Sequence, residues 1–400
     1  MNLPPGEWSG RADLLRLADA LGAGEGAVRL VGGVVRDTLL GLPVADIDLA
    51  TSHLPEEAMR RIVAAGFKAV PTGMAHGTVT AVLPSGPVEV TTLRRDLATD
   101  GRHATVGFTD DWQADAARRD FTINALSADP RSGAIHDYFG GLDDLAAGHV
   151  RFIGDPLQRI AEDHLRILRF FRFHARFGRG APDAAGLAAC AARARDLMAL
   201  SRERIAQELM KLLAVTDPVP TVAAMLDHAI LAPVLPEIGA RGLDRLRRLV
   251  GRETAIGDPD PVRRLAALLP PDPAIAEAVG ARLKLSNAWR KRLARAADPS
   301  LAGPPRALAH GIGLESARDR LLLHGDDRLL AAGLAAFEGW QVPRLPITGG
   351  ALVALGLARG PAVAATLQAI ERRWVAEGFP AGERVEAIAV EEVARTLAGR

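Results

Sequence analysis

Only one cysteine, Cys190, occurs in 400 residues. That scarcity excludes an internal disulfide framework, a disulfide partner within the chain and any zinc site built on several cysteines. Lysine is almost as rare: Lys68, Lys211, Lys284 and Lys291 are the four lysines, so 45 of the 49 basic side chains are arginine. The Ala-, Gly- and Arg-rich body of the chain points to a compositional bias of the genome. Guanidinium forks also suit phosphates and base edges, a use that only their placement can support. Net charge is close to absent, with 49 basic side chains against 48 acidic ones giving +1, so whole-chain charge names no partner. No uncharged apolar run reaches the roughly 20 residues that a spanning helix needs, so no transmembrane helix is expected. The opening MNLPPGEWSG has neither a basic flank nor an apolar core, so it does not read as a signal peptide. These absences predict a soluble, cytoplasmic protein with no membrane partner.

What is present is globular in kind, with 48% hydrophobic and 24% charged residues, and the length exceeds one ordinary domain. Up to about Phe152 the apolar residues come in short runs broken by Gly, Pro and Asp. Ala27–Val31, Ile47–Ala50, Thr78–Leu83 and Val88–Thr91 have the length and β-branched content of strands. Helical stretches, Val34–Leu40 and Pro55–Ala65, lie among them. Beyond Asp155 apolar residues recur three and four apart, a helical spacing. Gly178–Pro182, Asp217–Pro220, Gly257–Pro261, Pro270–Pro273, Pro299–Pro305 and Pro343–Pro346 read as joints between helices. The predicted architecture is an α/β head followed by a long helical region.

Chemistry concentrates in the head. In Leu30-Val31-Gly32-Gly33-Val34-Val35-Arg36-Asp37 a strand runs into two glycines and then a helix. Such a turn lets backbone N–H groups approach an anion, although alone it is often only a turn. The glycine spacing fits neither a dinucleotide fingerprint nor a Walker loop. Ten residues on, Asp46 and Asp48 stand two apart, so in a strand they face one side while Ile47 and Leu49 face the core. Two such carboxylates repel unless a cation joins them, and magnesium takes one or two carboxylates plus substrate phosphates. Asp-x-Asp by itself is as readily a turn or a solvated strand end. The glycine turn before it favours the metal. Glu89, flanked by Val88 and Val90, supplies a third acid on another strand.

These residues resemble the head of the class II nucleotidyltransferases of the polymerase-β superfamily, which contains the tRNA CCA-adding enzymes and bacterial poly(A) polymerases. The likeness continues through Thr72-Gly73-x-x-His76-Gly77-Thr78, Asp100-Gly101-Arg102 and Arg118-Arg119-Asp120-Phe121-Thr122-Ile123-Asn124-Ala125-Leu126. Asp137-Tyr138-Phe139-Gly140-Gly141, Glu162-Asp163-x-x-Arg166-x-x-Arg169-x-x-Arg172 and, more loosely, Arg202-x-Arg204-Ile205-x-x-Glu208 complete it over about residues 27–213. The resemblance implies a polymerase-β-like head with a small mixed sheet over 1–150. It further implies an all-α neck at 151–213 that reads the base, a body at 214–298, and a tail at 299–400 that contacts tRNA. Implied as well is attack of an RNA 3′-hydroxyl on the α-phosphate of a nucleoside triphosphate, with release of pyrophosphate.

Carried over residue by residue, Asp46 and Asp48 become ligands of Mg2+ and Glu89 a third catalytic acid. Gly32, Gly33 and Arg36 hold the triphosphate, while Asp37 is either part of that site or the structural partner of an arginine. Arg119 and Asp120 face the nucleotide, although Asp120 also stands where an N-cap would, with Phe121 and Thr122 in the first turn. Asn124 braces the site by hydrogen bonds. On a helix spanning Ile160–Arg176, Asp163 and Arg166 share a face. An Asp accepts from an exocyclic amino group and an Arg donates to a ring nitrogen or carbonyl, so the pair complements cytosine and adenine. Guanine and uracil present the reverse order. Arg169 and Arg172 continue the stripe toward phosphates, with Leu165, Leu168 and Phe171 packed beneath. The competing reading is a salt-bridge ladder on a solvated face.

Arg94–Ala116 has little apolar periodicity and reads as a long loop, which in the resembling enzymes is flexible and helps switch from C to A addition. Trp112 is expected to anchor its return. In Arg282–Arg295, Lys284, Arg290, Lys291 and Arg292 could bind tRNA backbone, or form a solvated face over buried Leu285, Trp289 and Leu293. His76, His103 and His164 have no zinc-ligand spacing. Two positions depart from the resembling pattern: His164 stands where proline is common, and Ser127 where tyrosine is. The leading expectation is addition or repair of the tRNA 3′-terminal CCA from CTP and ATP. A poly(A) polymerase or a C-only or A-only adder shares the head motifs, and a non-catalytic RNA-binding protein is the reading from another class.

Overall fold

The computed structural model describes residues 1–6, 8–99, 104–301 and 303–398, with the backbone alone at 96–99 and 104–106. The chain forms two compact units, Met1–Pro236 and Glu237–Arg400. The first unit opens with α1 (Ala12–Ala20), β1 (Val28–Val31), α2 (Gly33–Leu39), β2 (Asp48–Thr51), α3 (Pro55–Ala64), β3 (Lys68–Gly73), β4 (Thr78–Leu83) and β5 (Gly86–Thr92). All four expected strands are present. β3 was not expected, because no residue of this edge strand is fully buried and it lacks an apolar signal.

The seven-stranded sheet has the order β3-β4-β5-β2-β1-β8-β9, with β8 at Ser127–Ala128 and β9 at Ile135–His136. β2 runs parallel to β5 and antiparallel to β1, so the sheet is mixed. Val28 and Leu30 of β1, Leu49 of β2, Val79 and Ala81 of β4, and Val88 and Val90 of β5 are buried at 1% exposure or less. Each fully buried valine or leucine contributes about 1.5–3 kcal/mol, and that alternation fixes which side chains of β2 and β5 are left facing outward.

The stretch expected as an unstructured loop is ordered differently. β6 (Arg94–Thr99) and β7 (Ala104–Phe108) form an antiparallel hairpin that is its own two-stranded sheet, followed by α4 (Trp112–Ala117). The Asp100-Gly101-Arg102 motif and His103 lie outside the described residues. Trp112 does anchor the return, packed on Val31, Ala50 and Leu93, with the Arg29 guanidinium 4.1 Å from its ring centre.

After α5 (Gly141–Ala147) the first unit is helical: α6 (Pro156–Glu162), α7 (Arg166–Phe177), α8 (Ala184–Ala192), α9 (Arg202–Leu213) and α10 (Val219–Asp227). The single helix expected over 160–176 is broken at Asp163, whose backbone is extended (φ −150°, ψ 107°). His164 sits in this break, where proline is common in the resembling enzymes. Phe121, Phe152, Phe170 and Phe173 pack with ring centres 5.0–6.3 Å apart and tie α7 to the sheet-bearing part of the unit. That aromatic core positions the arginines of α7, with the Arg169 and Arg172 guanidinium groups 5.3 and 4.3 Å from the Phe173 ring centre.

Among the described residues the second unit is made of ten helices, from α11 (Ala240–Ile256) to α20 (Glu383–Ala398). All six expected joints mark gaps between successive helices of the chain, four of them running into the first turn of the helix that follows. Its centre holds an ion network: Asp319 accepts from Arg263 Nε at 2.7 Å and Arg292 Nε at 2.7 Å, and Glu253 accepts from Arg263 Nη1 at 2.9 Å and Arg264 Nε at 2.6 Å. Both carboxylates are fully buried, so pairing is what makes their desolvation tolerable. The basic run therefore divides. Arg292 is spent inside, Arg290 pairs with Glu277, and Arg282 with Glu237. Leu285 and Leu293 are buried as expected, but Trp289 is 41% exposed, against the expected burial.

Candidate active site

The glycine turn comes first. β1 leads through Val31 into Gly32, whose backbone (φ 68°, ψ −117°) is costly for any side chain. A Cβ at Gly32 would also stand 3.1 Å from Arg119 Nη1. The turn thus brings the start of α2 and the Arg119 guanidinium together. Both glycines line a cavity of about 530 Å³ that also takes in Arg36, Asp48, Glu89, Arg119, Asp120, Asp163, Arg166 and Arg169.

Parallel pairing of β2 with β5 sets Asp48 directly beside Glu89. Asp46 lies two residues ahead of the strand, exposed and outside the cavity lining, while Ile47 and Leu49 are buried between and after the two aspartates. The alternation holds, but the close pair is Asp48 with Glu89. Burial, then the nearby charges of Glu89 and Asp46, push the Asp48 carboxyl above the usual carboxylate range, and Arg119 offsets part of this. Hard oxygen donors that repel one another in this way suit a divalent cation that prefers oxygen. Among the described residues no group of three or more His, Cys, Asp or Glu side chains is gathered closely enough to hold a metal by itself.

The cationic side is braced by residues of the turn and α4. Arg36 is buried; its Nε and Nη2 reach Asp37 at 2.8 and 2.7 Å, and Nη1 donates to Asn124 Oδ1 at 2.5 Å. It stacks on Phe177, 4.2 Å from the ring centre. Asp37 is accordingly the structural partner of an arginine. Asp120 is not a helix cap, because Phe121 is the extended residue before the 3-10 turn Thr122–Asn124. Its Oδ1 accepts from Phe121 N and Asn124 Nδ2, both at 3.0 Å, and its Oδ2 accepts from Arg169 Nε at 2.7 Å. Burial pushes the Asp120 carboxyl up, but the Arg169 charge and the bonds from Asn124 and Arg169 outweigh it and hold it below the usual range. Arg169 keeps both protons of Nη1 for other partners. Asn124 is the brace between Arg36 and Asp120, as expected.

Asp115 was missed by sequence reasoning. It is buried and accepts from Arg118 Nε at 2.9 Å, Arg119 Nη2 at 3.3 Å and the backbone of Arg94 at 3.2 Å. Its spacing of three and four from Arg118 and Arg119 on a helix was the available signal.

Asp163 and Arg166 both line the cavity, but they are not bonded to each other through their side chains. Arg204 of α9 donates to both Asp163 oxygens, at 2.9 and 3.2 Å. Arg166 Nη1 donates to Glu162 and to the carbonyl of Arg159 at 2.9 Å, and Nη2 to the carbonyl of Arg118 at 3.2 Å. Five N–H groups less these three leave Nε–H and one Nη2–H for a ligand. The helical salt-bridge ladder is present only in part: Glu162 pairs with Arg159 and Arg166 at helical spacing on a largely buried face, while Asp163 is held from α9. Arg172 bonds Glu208 and does not line this cavity. Leu165, Leu168 and Phe171 are buried beneath.

Residues 28–151 match the family model described as the Poly A polymerase head domain, and 183–241 the one described as a probable RNA and SrmB-binding site of polymerase A. The chain is 34% identical to the human mitochondrial CCA tRNA nucleotidyltransferase 1 over 369 residues, covering 88% of this chain and 83% of that protein. It is 32% identical to the CCA-adding enzyme of Lacticaseibacillus paracasei, with 88% of each covered. In structure it is similar to the Bacillus stearothermophilus CCA-adding enzyme, solved in complex with CTP, at a TM-score of 0.72 and 25% identity, covering 98% of this chain and all of that one. A third of the residues kept over nearly the whole length, on the same mixed sheet and helical remainder, makes this chain a member of the CCA-adding enzyme family of tRNA nucleotidyltransferases.

Proposed function

We propose that the protein adds or repairs the 3′-terminal CCA of tRNA, taking CTP and ATP and releasing pyrophosphate. The observation that carries this reading is one cavity lined both by a strand-register carboxylate pair, Asp48 and Glu89, and by an acceptor and donor, Asp163 and Arg166, each fixed by a residue from another element. Asp46 and Asp48 would hold Mg2+ together with the substrate phosphates, with Glu89 beside Asp48 as the third acid. The ion lowers the barrier by activating the attacking hydroxyl and neutralising charge on both sides of the phosphorus. Gly32, Gly33, Arg36, Arg119 and Arg169 bind and orient the triphosphate, with Asp120 keeping Arg169 in place. Asp163 accepts from the exocyclic amino group of the base while Arg204 holds it still. Arg166 donates Nε–H and Nη2–H to the neighbouring acceptor. Pre-held side chains lose little freedom on binding, so their hydrogen bonds count toward choice of base.

The division into head 1–150, neck 151–213, body 214–298 and tail 299–400, with tRNA on the tail, belongs to this proposal. So does a cytoplasmic location, although the human relative is named as mitochondrial; no helix among the described residues is long and apolar enough to cross a membrane.

The test is incubation of the protein with a tRNA trimmed of its CCA, each nucleotide alone and all four together. Two C additions followed by one A, ending there, are expected. Continued A addition to unrelated RNA would mean a poly(A) polymerase, and no addition a binding protein.

The β6–β7 hairpin meets the nucleotide cavity through Asp115, which takes the backbone of Arg94 and the side chain of Arg119 together. Replacing the hairpin by a short turn is expected to slow A addition about fivefold more than C addition, the worth of one ordinary hydrogen bond. Single-turnover rates of the two steps check this; equal losses would make the hairpin a connector only.

A further inference from the structure

Arg166, Arg169, Arg172 and Arg176 are spaced three, three and four residues apart on α7, which puts them in one stripe along the helix. The first two line the nucleotide cavity. The last two line a second cavity of about 670 Å³, which α7 shares with Leu42 and Pro43 after α2 and with Lys211 at the end of α9. Glu208 holds Arg172 at 2.5 Å, but Arg176 is about half exposed and meets Asp37 only at 3.8 Å. Lys211 is exposed and makes no ion pair among the described residues. Arg36, behind Asp37, feels the repulsion of Arg176 and Arg172. Positive charge therefore exceeds the acids that face it. The remaining wall is mainly apolar, with Leu42, Pro43, Ala175, Ala214 and Val215 beside the polar Thr216. Leu42 and Pro43 also open the segment that leads to Asp46 and β2.

Several cations spread along one cavity suit a strand of successive phosphates more than they suit a lone phosphate. We propose that this cavity holds the phosphodiester backbone of the RNA whose 3′ end is extended, with Arg172, Arg176 and Lys211 as its phosphate contacts. The inference rests on the function proposed above and moves Arg172 from the incoming nucleotide to the RNA. A structural alternative exists for Lys211, since a cation in the last turn complements the helix dipole.

Full-length protein carrying Arg176→Gln and Lys211→Gln together tests it against a tRNA trimmed of its CCA. Binding is measured without nucleotide at several salt concentrations, and KM for tRNA and for CTP is measured separately. The dissociation constant and the KM for tRNA are expected to rise roughly tenfold, and the log–log salt slope to become shallower by about 1–2. KM for CTP, kcat at saturating tRNA and inhibition by pyrophosphate should stay as in the unaltered protein, and Arg176→Lys with Lys211→Arg should keep most of the binding. Unchanged tRNA binding and slope overturn the proposal, whether or not Tm moves. A shift in KM for CTP or in pyrophosphate inhibition instead would assign the cavity to the nucleotide's phosphates and overturn it too. If the unaltered protein extends no tRNA, the functional reading fails, while the binding measurements still decide this one.

Discussion

Asp48→Asn is expected to stop nucleotide addition and leave the fold intact. The substitution keeps the shape of the side chain and removes one charge from a pair set side by side by the β2–β5 register. Losing a metal-binding carboxylate removes several kcal/mol of transition-state stabilisation, about a thousandfold or more in rate. Stability should move the other way. Burial and the charges of Glu89 and Asp46 hold the Asp48 carboxyl above its usual range, so its ionised form is less favourable in the folded chain than in the unfolded one. That cost is absent below the unfolded pKa and grows as pH rises to the folded value. Without metal at neutral pH, the variant should therefore melt at the same temperature as the unaltered protein or above it. Single-turnover rates with magnesium and a thermal melt in chelator measure the two effects. Near-normal turnover would remove Asp48 from the metal site. A large drop in Tm would make it a structural acid.

How much of this was legible depends on how local each signal is. The strands carrying Asp48 and Glu89 were readable because Leu49, Val88 and Val90 alternate into the core and leave the acids on the other face. The joints between helices were readable because Pro and Gly act on their own backbone. β6 and β7 were not, since they pair only with each other, outside the seven-stranded sheet whose buried strands carry the period of two. The break at Asp163 was missed for a different reason. Asp163, Arg166 and Arg169 keep helical spacing on paper, but Asp163 is extended and its carboxylate is held by Arg204, 41 residues later. Asp120 with Arg169 and Arg172 with Glu208 are likewise bonds across 49 and 36 residues. Residue types pointed to the site; partners that distant could not be paired from one sequence.

Asp163 carries the second large effect. Its two oxygens are gripped by Arg204, so the acceptor is fixed before a nucleotide arrives, and Arg166 retains Nε–H and one Nη2–H beside it. Asp163→Ala removes the acceptor for the amino group of C and A and leaves Arg204 without its partner. One hydrogen bond lost or reversed at such a site costs about 1–3 kcal/mol, roughly ten- to hundredfold in selectivity. Use of CTP and ATP should weaken, and discrimination against UTP and GTP should fall. Arg204→Gln, which keeps the acceptor and loosens it, should give a smaller shift in the same direction.

Incorporation of all four nucleotides into trimmed tRNA, by the unaltered protein and by Asp163→Ala, tests a side-chain template most directly. The unaltered protein should take CTP and ATP and refuse GTP and UTP, and the variant should lose that preference at least tenfold, about the worth of one such hydrogen bond. A variant that still refuses GTP and UTP as firmly as the unaltered protein would contradict the account, and would put base recognition somewhere other than Asp163 and Arg166.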